Sequence, residues 1–298
     1  MMLDFRIDTF LTVCKFMNYT KAAEALHITQ PAVSQHIHAL EEEYGVKLFS
    51  YKGKRLALTE AGQILQDTAV TMKHDDLLLK EMMEQMTSGS VKLIFGATRT
   101  VGQFAMADPL IGYLKQHPKA TVKMTVANTQ KLLKMLDNGD IDFAIVEGFF
   151  PKSEYDFLVF SKENFTAVCS PDYSFQKPIH KIEDLLQERL LVREKGSGTR
   201  NIFETYLKSH DLALKDFPYQ TEVNNIDVLK TLAKAGCGIT FLYETAVKKE
   251  LAAGTLSRIP LEDFSIKHNF TFLWQKSSAF SEHYRNIFRE FKFYQESL

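Results

Sequence analysis

Two short segments of this 298-residue sequence combine hydroxyl groups, arginine and glycine where a predicted strand ends and a predicted helix begins. They read GATRTVG, residues 96–102, and REKGSGTR, residues 193–200. Backbone N–H groups at a helix start attract negative charge, and nearby hydroxyl and guanidinium groups add donors. Gly-Ser-Gly is also ordinary turn sequence, but two such segments facing each other are expected to bind an anion. The candidate ligand-binding residues in them are Thr98, Arg99, Thr100, Val101, Ser197, Gly198, Thr199 and Arg200.

Polar residues at the ends of other predicted strands, or just before a helix, are further candidates to line the same site. They are Asn128, Thr129, Glu147, Asn224 and Asn225. Glu147 would repel a simple anion, which predicts either an amine on the ligand or a salt bridge from Glu147 to an arginine. Arg99 either adds a cation to the site, favouring a carboxylate, sulfate or phosphate group, or points to solvent.

A second kind of chemistry is suggested by residues 30–44, QPAVSQHIHALEEEY, which predict an amphipathic helix. Its apolar stripe, at offsets 0, 4, 7 and 11, consists of Val33, Ile37, Leu40 and Tyr44. The opposite side carries Gln30, Ser34, Gln35 and His38. Such side chains hydrogen-bond base edges or phosphate oxygens when a helix lies in a major groove. An ordinary surface helix shows the same pattern, so this helix alone leaves both interpretations open.

The next segment, VKLFSYKGKRLALTEAG, predicts a small hairpin with a basic tip. Residues 44–59 contain Lys47, Lys52, Lys54 and Arg55 and no acidic residue. Cations on a wing beside a helix–turn–helix are typical phosphate contacts. The candidate DNA-binding residues are therefore Thr29, Gln30, Pro31, Ser34, Gln35, His38, Lys52, Lys54 and Arg55.

The elements that must hold these residues can be predicted from caps and periodicity. Residues 3–17 predict a first helix, and Thr20 is the expected N-cap of a second helix, KAAEAL. Thr29 is the expected N-cap of the third, with Pro31 in its first turn, where the missing N–H costs little. The acidic run 41–43 is interpreted as a solvated helix end.

Composition describes an ordinary globular chain of two or three domains, with 45% hydrophobic residues and a net charge of −1. Residues 1–66 contain seven basic and seven acidic residues, so any DNA contact must come from local patches. No apolar run reaches the roughly 18 residues of a membrane span, which predicts a cytoplasmic protein without membrane contact. The separated cysteines, Cys14, Cys169 and Cys237, are predicted to be reduced core thiols.

Residues 60–87 predict one long helix with Leu65, Met72, Leu79 and Met86 at seven-residue intervals. Such a stripe packs either on a second subunit or on the helix's own domain. Asp75 interrupts the companion positions and argues against a long uninterrupted zipper. TSGS at 87–90 marks a boundary, after which strands and helices alternate as in a doubly wound sheet. Residues 102–118 are predicted to form a single helix in this part.

The segment FMNYTKAAEALHITQPAVSQHIHALEEEYGVKLFSYKGKRLALTEAG resembles the winged helix–turn–helix of the LysR-type bacterial transcriptional regulators, whose pattern is AAxxLxxxQPAxSxxIxxLExxxGxxLFxR followed by LTxAG. It departs at Ser50-Tyr51, where an arginine usually follows the phenylalanine, and at His36 and His38, which are frequently basic positions. The resemblance covers the whole chain.

The resemblance implies an N-terminal all-α winged helix–turn–helix over 1–59, a linker and dimerisation helix over 60–89, and a C-terminal α/β effector domain over 90–298. That domain is two-lobed and periplasmic-binding-protein-like, with lobe 1 at about 91–161 and 267–298 and lobe 2 at about 162–266.

The implied function is sequence-specific transcriptional regulation, controlled by a small anionic metabolite bound between the lobes. The expected partners are a double-stranded DNA operator, the effector and further copies of the chain in a homodimer or homotetramer, with no cofactor or metal. A DNA-binding protein that needs no ligand is the main alternative. A solute-binding protein would lack the DNA module, and catalytic motifs such as a P-loop, GxSxG or HExxH are not found in the sequence.

Overall fold

The N-terminal region is built from helices α1 (Phe5–Phe16), α2 (Tyr19–Leu26) and α3 (Gln30–Tyr44). The computed structural model describes residues 4–89 and 91–296. The helices enclose a small apolar core that includes Phe10, Val33 and Leu40. The prediction that Thr20 caps α2 was wrong. Asn18 is the N-cap, because its side chain accepts a hydrogen bond from the Lys21 N–H at 3.0 Å.

The predicted wing is confirmed as an antiparallel hairpin of β1 (Phe49–Lys52) and β2 (Arg55–Leu58). Lys52 pairs with Arg55 beside the turn, in which Gly53 has a φ of 66°. This left-handed conformation favours glycine, which has no Cβ to clash with the backbone. The tight turn holds the basic residues together at one tip.

Helix α4 (Glu60–Ser88) runs from the N-terminal region to the C-terminal domain. Its first half packs Leu65 and Ala69 on the N-terminal core, and farther along Leu78 belongs to the core of the C-terminal domain. Asp75 accepts hydrogen bonds from the Ser278 hydroxyl at 2.6 Å and the Ala279 N–H at 2.8 Å. One side of the helix is therefore attached to its own chain.

The described residues of the C-terminal domain form a nine-stranded mixed sheet flanked by helices. Its strands are β3 (Lys92–Ala97), β4 (Thr121–Val126), β5 (Phe143–Val146), β6 (Tyr155–Cys169), β7 (Leu190–Arg193), β8 (Gln220–Val223), β9 (Ile239–Tyr243), β10 (Ser257–Arg258) and β11 (Ile266–Gln275). Its helices are α5 (Arg99–Phe104), α6 (Ala107–Gln116), α7 (Thr129–Asp137), α8 (Gly198–Ser209), α9 (Ile226–Lys234), α10 (Glu244–Ala252) and α11 (Ser281–Glu296). The single helix predicted over 102–118 is wrong, because the chain breaks between α5 and α6.

Two parallel groups of strands give this domain its two lobes. In lobe 1, β3 pairs in parallel with β4 and β5, and in lobe 2, β7 pairs in parallel with β8 and β9. The long antiparallel pair of β6 and β11 connects the groups. Strand β6 runs without interruption through residues 161 and 162, where the sequence predicts the lobe boundary. The carboxyl ends of the two parallel groups meet at a cleft.

Aromatic stacking across neighbouring strands and helices accounts for much of the core. Phe143 stacks on Phe95 and on Phe272, with ring centroids 4.9 and 4.4 Å apart, and Phe203 stacks on Phe241 at 4.0 Å in lobe 2. Cys14 and Cys169 are buried as predicted, but Cys237 is exposed, which contradicts its prediction as a core thiol. None of the helices in the described ranges is long and apolar enough to cross a membrane.

Candidate functional site

A closed cleft lies where the strand ends of the two lobes meet. Thr98 follows β3 and Glu147 follows β5, while Glu194 follows β7 from the other side. The cavity between them measures about 10 Å³, which is space for about one water molecule. Its walls are formed by Thr98, Arg99, Ala127, Asn128, Glu147, Arg193, Glu194, Ser197 and Gly198. A metabolite would need this cleft to open.

Glu147 joins the lobes at the centre of the cleft. The Thr199 hydroxyl donates a hydrogen bond to Glu147 Oε1 at 3.1 Å. Burial raises the pKa of Glu147, although donors from Thr100 and Thr199 and the charge of Arg193 offset part of this rise. A Cβ at Gly198 would lie 2.6 Å from Glu147 Cγ, so this approach requires glycine. Glu147 thus contacts the start of α8 from the opposite lobe.

Buried polar atoms around this contact have no hydrogen-bond partner among the described residues. They are Thr98 Oγ1, Thr129 Oγ1, Glu147 Oε2, Arg193 Nη1 and Ser197 Oγ. Thr98 and Ser197 hold the N-cap positions of α5 and α8, yet neither side chain makes a capping hydrogen bond. An unsatisfied buried polar group costs about 1–3 kcal/mol. These atoms lie around the contact between Glu147 and the start of α8.

Two arginines and two glutamates balance the charge of the cleft. Buried Arg193 donates from Nε and Nη2 to Glu194, at 2.9 and 3.2 Å. Arg99 reaches across from lobe 1 to Glu194, at 3.4 Å, and to the Asn224 carbonyl oxygen. Arg193 and Glu194 were not among the residues predicted from the sequence, although they are the first two residues of REKGSGTR. Their position at the end of strand β7 could have identified them, because the predicted site lies at strand ends.

Two predicted ligand residues make their side-chain contacts away from the cleft. Arg200 donates to Glu204, to Glu222 and to the Arg193 carbonyl oxygen, so its guanidinium is engaged outside the cleft. The Val101 side chain is fully buried in the main core.

The predicted asparagines act through capping or the backbone. Asn128 and Asn225 cap α7 and α9, with side-chain oxygens that accept from Lys131 N–H at 2.9 Å and Asp227 N–H at 2.9 Å. Asn224 contributes its carbonyl oxygen to Arg99. Besides capping α7, Asn128 lines the inner cavity. The other predicted residues at the cleft are Thr98, Arg99, Thr129, Glu147, Ser197 and Gly198, and the Thr100 and Thr199 hydroxyls meet across it at 3.3 Å.

A wider cavity of about 310 Å³ lies on the rim between the lobes. It is lined by Arg99, Gly102, Gln103, Val126, Asn224, Asn225 and Ile226. Gln103 of lobe 1 donates to Asp227 of lobe 2 at 2.6 Å beside it. Arg99 borders both this cavity and the inner one.

The second candidate site is the polar side of α3. Thr29 caps the helix as predicted, since its hydroxyl accepts from the Ala32 N–H at 3.4 Å. Gln30 donates to the Ser34 hydroxyl at 2.8 Å, and this pair lies on the surface. The other exposed candidates on α3 and on the wing are Pro31, Gln35, His38, Lys52, Lys54 and Arg55. Helix α3 therefore offers amide and hydroxyl groups, and the wing offers basic groups.

Two details of this region, at Tyr44 and Glu41, differ from the sequence predictions, and His36 makes a contact that the sequence did not predict. Tyr44, assigned to the inward stripe, is 52% exposed. His36 is engaged internally, because its Nδ1 lies 2.9 Å from the Thr9 hydroxyl. Glu41 is not solvated. It accepts from Lys47 Nζ at 2.6 Å and from the Leu48 N–H at 2.9 Å, and so ties the helix end to the wing.

Comparison with known proteins agrees with both parts of the structure. Residues 6–63 match the model of the bacterial regulatory helix-turn-helix protein, lysR family, and residues 87–292 match that of the LysR substrate binding domain. The chain is 30% identical, over 259 residues, to a probable RuBisCO transcriptional regulator of Cyanidium caldarium. The match covers 84% of this chain and 80% of that relative.

Solved structures share the fold at lower identity. Full-length LysG from Corynebacterium glutamicum, with bound effector Arg, has a TM-score of 0.68 and 18% identity, and the match covers 98% of each chain. The CcmR regulatory domain of Synechocystis, in complex with 2-PG, has a TM-score of 0.60 and 20% identity, covering 70% of this chain and 98% of that one. The chain therefore belongs to the LysR family of transcriptional regulators, with a helix–turn–helix DNA-binding region followed by an effector-binding domain.

Proposed function

We propose that this regulator binds operator DNA through α3 and the wing, and that a small molecule with an acidic group, bound between the lobes, changes that binding. The observation that carries the proposal is the set of buried, unpartnered polar atoms in the cleft, contributed by Thr98, Thr129, Glu147, Arg193 and Ser197. Of these groups, Arg193, Ser197 and Thr98 supply donors to an acid. LysG with Arg and the CcmR domain with 2-PG show this fold holding small molecules.

The DNA-binding half of the proposal assigns different tasks to α3 and the wing. Gln30 is exposed and Ser34 half-buried near the start of α3, which is the end that reaches base edges when a helix lies in a major groove. Lys52, Lys54 and Arg55 extend from the neighbouring hairpin, where they contact the phosphate backbone. Base reading and phosphate binding are therefore separable by mutation.

Oligomerisation is proposed from the uncovered side of α4. Met72, Met83 and Met86 are 50%, 59% and 84% exposed, although all three are apolar. The opposite side, with His74 and Leu78, is buried against the C-terminal domain. A second copy of the chain would cover the methionines and place a second winged region on the operator, which strengthens binding by linkage.

A short path connects the cleft with α4. His74 Nε2 lies 3.1 Å from Asp142, and its Nδ1 lies 3.2 Å from the Tyr284 hydroxyl. Asp142 immediately precedes β5, and Glu147 immediately follows it. A movement of Glu147 on ligand binding is thus transmitted along one four-residue strand to the helix that carries the DNA-binding region.

The proposal is tested on the full chain. A thermal-shift screen of small acids should raise the melting temperature, since a ligand at 100 times its Kd stabilises by about 2.7 kcal/mol. Each hit is then titrated against a selected operator. Ser197→Ala should weaken binding of the hit by roughly 5- to 150-fold, the equivalent of about 1–3 kcal/mol.

Thr205→Ala is the matched control for Ser197→Ala. It removes a hydroxyl from the same helix, where that group donates to the helix's own Asn201 carbonyl oxygen at 2.7 Å. Equal loss in the two variants would place the ligand elsewhere. Hits that bind but leave operator affinity and DNA bending unchanged would contradict regulation through this cleft.

A further inference from the structure

The start of α8 already has an anionic occupant, and this occupant comes from the other lobe. Helix α8 spans 12 residues, and its own N-cap, Ser197, makes no side-chain capping bond. Glu147 instead lies against this helix start and accepts a hydrogen bond from the hydroxyl of Thr199, the second residue of the helix. A carboxylate at a helix start is stabilised by the free N–H groups and the helix dipole. An incoming anion would meet a position that is already filled.

The charges around the inner cavity also disfavour a simple anion. Arg99 and Arg193 carry two positive charges, and Glu147 and Glu194 carry two negative charges. Glu194 already engages both arginines. A sulfate or phosphate would therefore add negative charge to a site whose charges already balance, next to the buried Glu147 carboxylate. Such an unpaired buried charge is unfavourable.

We propose that Glu147 is a specificity-determining residue of the cleft, which excludes simple oxyanions and admits acids that also carry a protonated amine. This inference rests on the proposal that the cleft is the effector site. The unpartnered Glu147 Oε2 accepts from the amine of the ligand, while Arg193 Nη1 and the Ser197 and Thr98 hydroxyls donate to its acidic group. A molecule with one charge of each sign leaves the balance of the cleft unchanged.

Inorganic sulfate is the first probe, titrated by calorimetry into the full chain without DNA. Glu147→Gln keeps the shape and an acceptor for Thr199 but removes the negative charge. We expect it to bind sulfate at least about tenfold more tightly than the wild type. Glu222→Gln is the matched control, because it removes the same charge from the half-exposed partner of Arg200 at the end of β8.

Glu147→Ala is a second variant in which we expect the same gain in sulfate affinity. It is used if the glutamine side chain lowers the melting temperature. Sulfate binding by the wild type as tight as by the variants, or equal gains in Glu147→Gln and Glu222→Gln, would overturn the assignment. Folded Glu147→Gln and Glu147→Ala proteins that do not gain sulfate binding would overturn it as well.

The ligand class is tested with pairs of compounds that differ by one group, the α-amino acids and their 2-hydroxy acid analogues. The wild-type protein should be stabilised against thermal unfolding only by amino acids. In Glu147→Gln, the ratio of affinities for the amino acid and its hydroxy acid analogue should fall about tenfold. A hydroxy acid that stabilises the wild type as well as its amino partner, or no response to any amino acid, would overturn this class. DNA is absent from these assays. A ligand that shows the predicted specificity but does not change operator affinity would therefore contradict the proposed regulation, and would not contradict the role of Glu147 in ligand specificity.

Discussion

The Thr199 hydroxyl donates a hydrogen bond to Glu147 Oε1 at 3.1 Å, and this bond crosses the cleft between the two lobes. Glu147 follows the last parallel strand of lobe 1, and Thr199 is the second residue of α8 in lobe 2. The relative position of the lobes therefore depends on a buried carboxylate as well as on the long strands that join them. Changes at this carboxylate are expected to affect stability, closure and ligand choice together.

Glu147→Gln should change the pH dependence of stability in a defined direction. Burial raises the pKa of Glu147 above its ordinary 4.5, so the ionised form is penalised in the folded protein. The contribution of protonated Glu147 to the free energy of unfolding is fully present below pH 4.5, and it is lost as the pH rises through the folded-state pKa. The glutamine variant, which cannot ionise, should be more stable than the wild type at pH 8. Urea unfolding at pH 8, 6 and 4.5 measures this gain, and a gain that increases as the pH falls would contradict the prediction.

Gly198→Ala should prevent the lobes from closing as they do in the structure. The new Cβ would lie 2.6 Å from Glu147 Cγ and 3.2 Å from the Gly148 nitrogen. Small-angle scattering should show a larger radius of gyration than that of the wild type. Adding Glu147→Ala removes Cγ and should restore much of the closure. A double variant as expanded as Gly198→Ala alone would assign the effect to the backbone of α8.

Base reading and phosphate binding should separate in operator assays. Gln30→Ala should cost about 1–3 kcal/mol on the specific operator and much less on random DNA, because it removes base-edge hydrogen bonds. Lys54→Ala should weaken binding to both DNAs alike and reduce the salt slope by about one unit. Fluorescence anisotropy across a salt series measures both effects. Equal losses on both DNAs for both variants would argue against α3 lying in the major groove.

Exposed and buried positions of α4 should respond differently to a new charge. Met86→Asp alters a side chain that is 84% exposed, so it should reduce the sedimentation mass without lowering the melting temperature of the subunit. Leu78→Asp places a carboxylate in the C-terminal core and should destabilise the fold. Analytical ultracentrifugation with thermal unfolding separates the two outcomes. An unchanged mass for Met86→Asp would show that this side of α4 is not an interface.

His74→Phe should uncouple the cleft from the DNA-binding region. It keeps an aromatic ring at a buried position but removes the contacts to Asp142 and Tyr284. Ligand affinity without DNA should stay within about twofold of wild type, whereas the factor by which ligand changes operator affinity should decrease. By linkage, the operator must change the ligand affinity by that same factor, so titrating ligand with and without operator measures it a second time. Thr71→Ala, which removes a hydroxyl bonded to its own helix at Asp67, is the control. Unchanged coupling in His74→Phe would exclude this path.

Local features were predictable from the sequence, because their causes lie within a few residues. The cap at Thr29, the apolar positions Val33, Ile37 and Leu40, and the hairpin turn at Gly53 depend on local hydrogen bonds, periodicity and allowed backbone angles. The alternation of strands and helices after residue 90 also indicated an α/β domain with a site at the strand ends. The position of Glu147 beside that site followed from the same rule.

Tertiary structure decided which side chains occupy the cleft. Arg193 and Arg200 lie seven residues apart in similar sequence, yet packing against Glu204 and Glu222 turns Arg200 away and leaves Arg193 Nη1 at the site. The exposed side of α4 likewise depends on where Leu78 meets a core formed by distant strands. Glu147 reaches α8 only because β6 and β11 hold the two lobes face to face. Periodicity and capping act within an element, whereas these arrangements arise from contacts between segments far apart in the chain, so the sequence alone did not determine them.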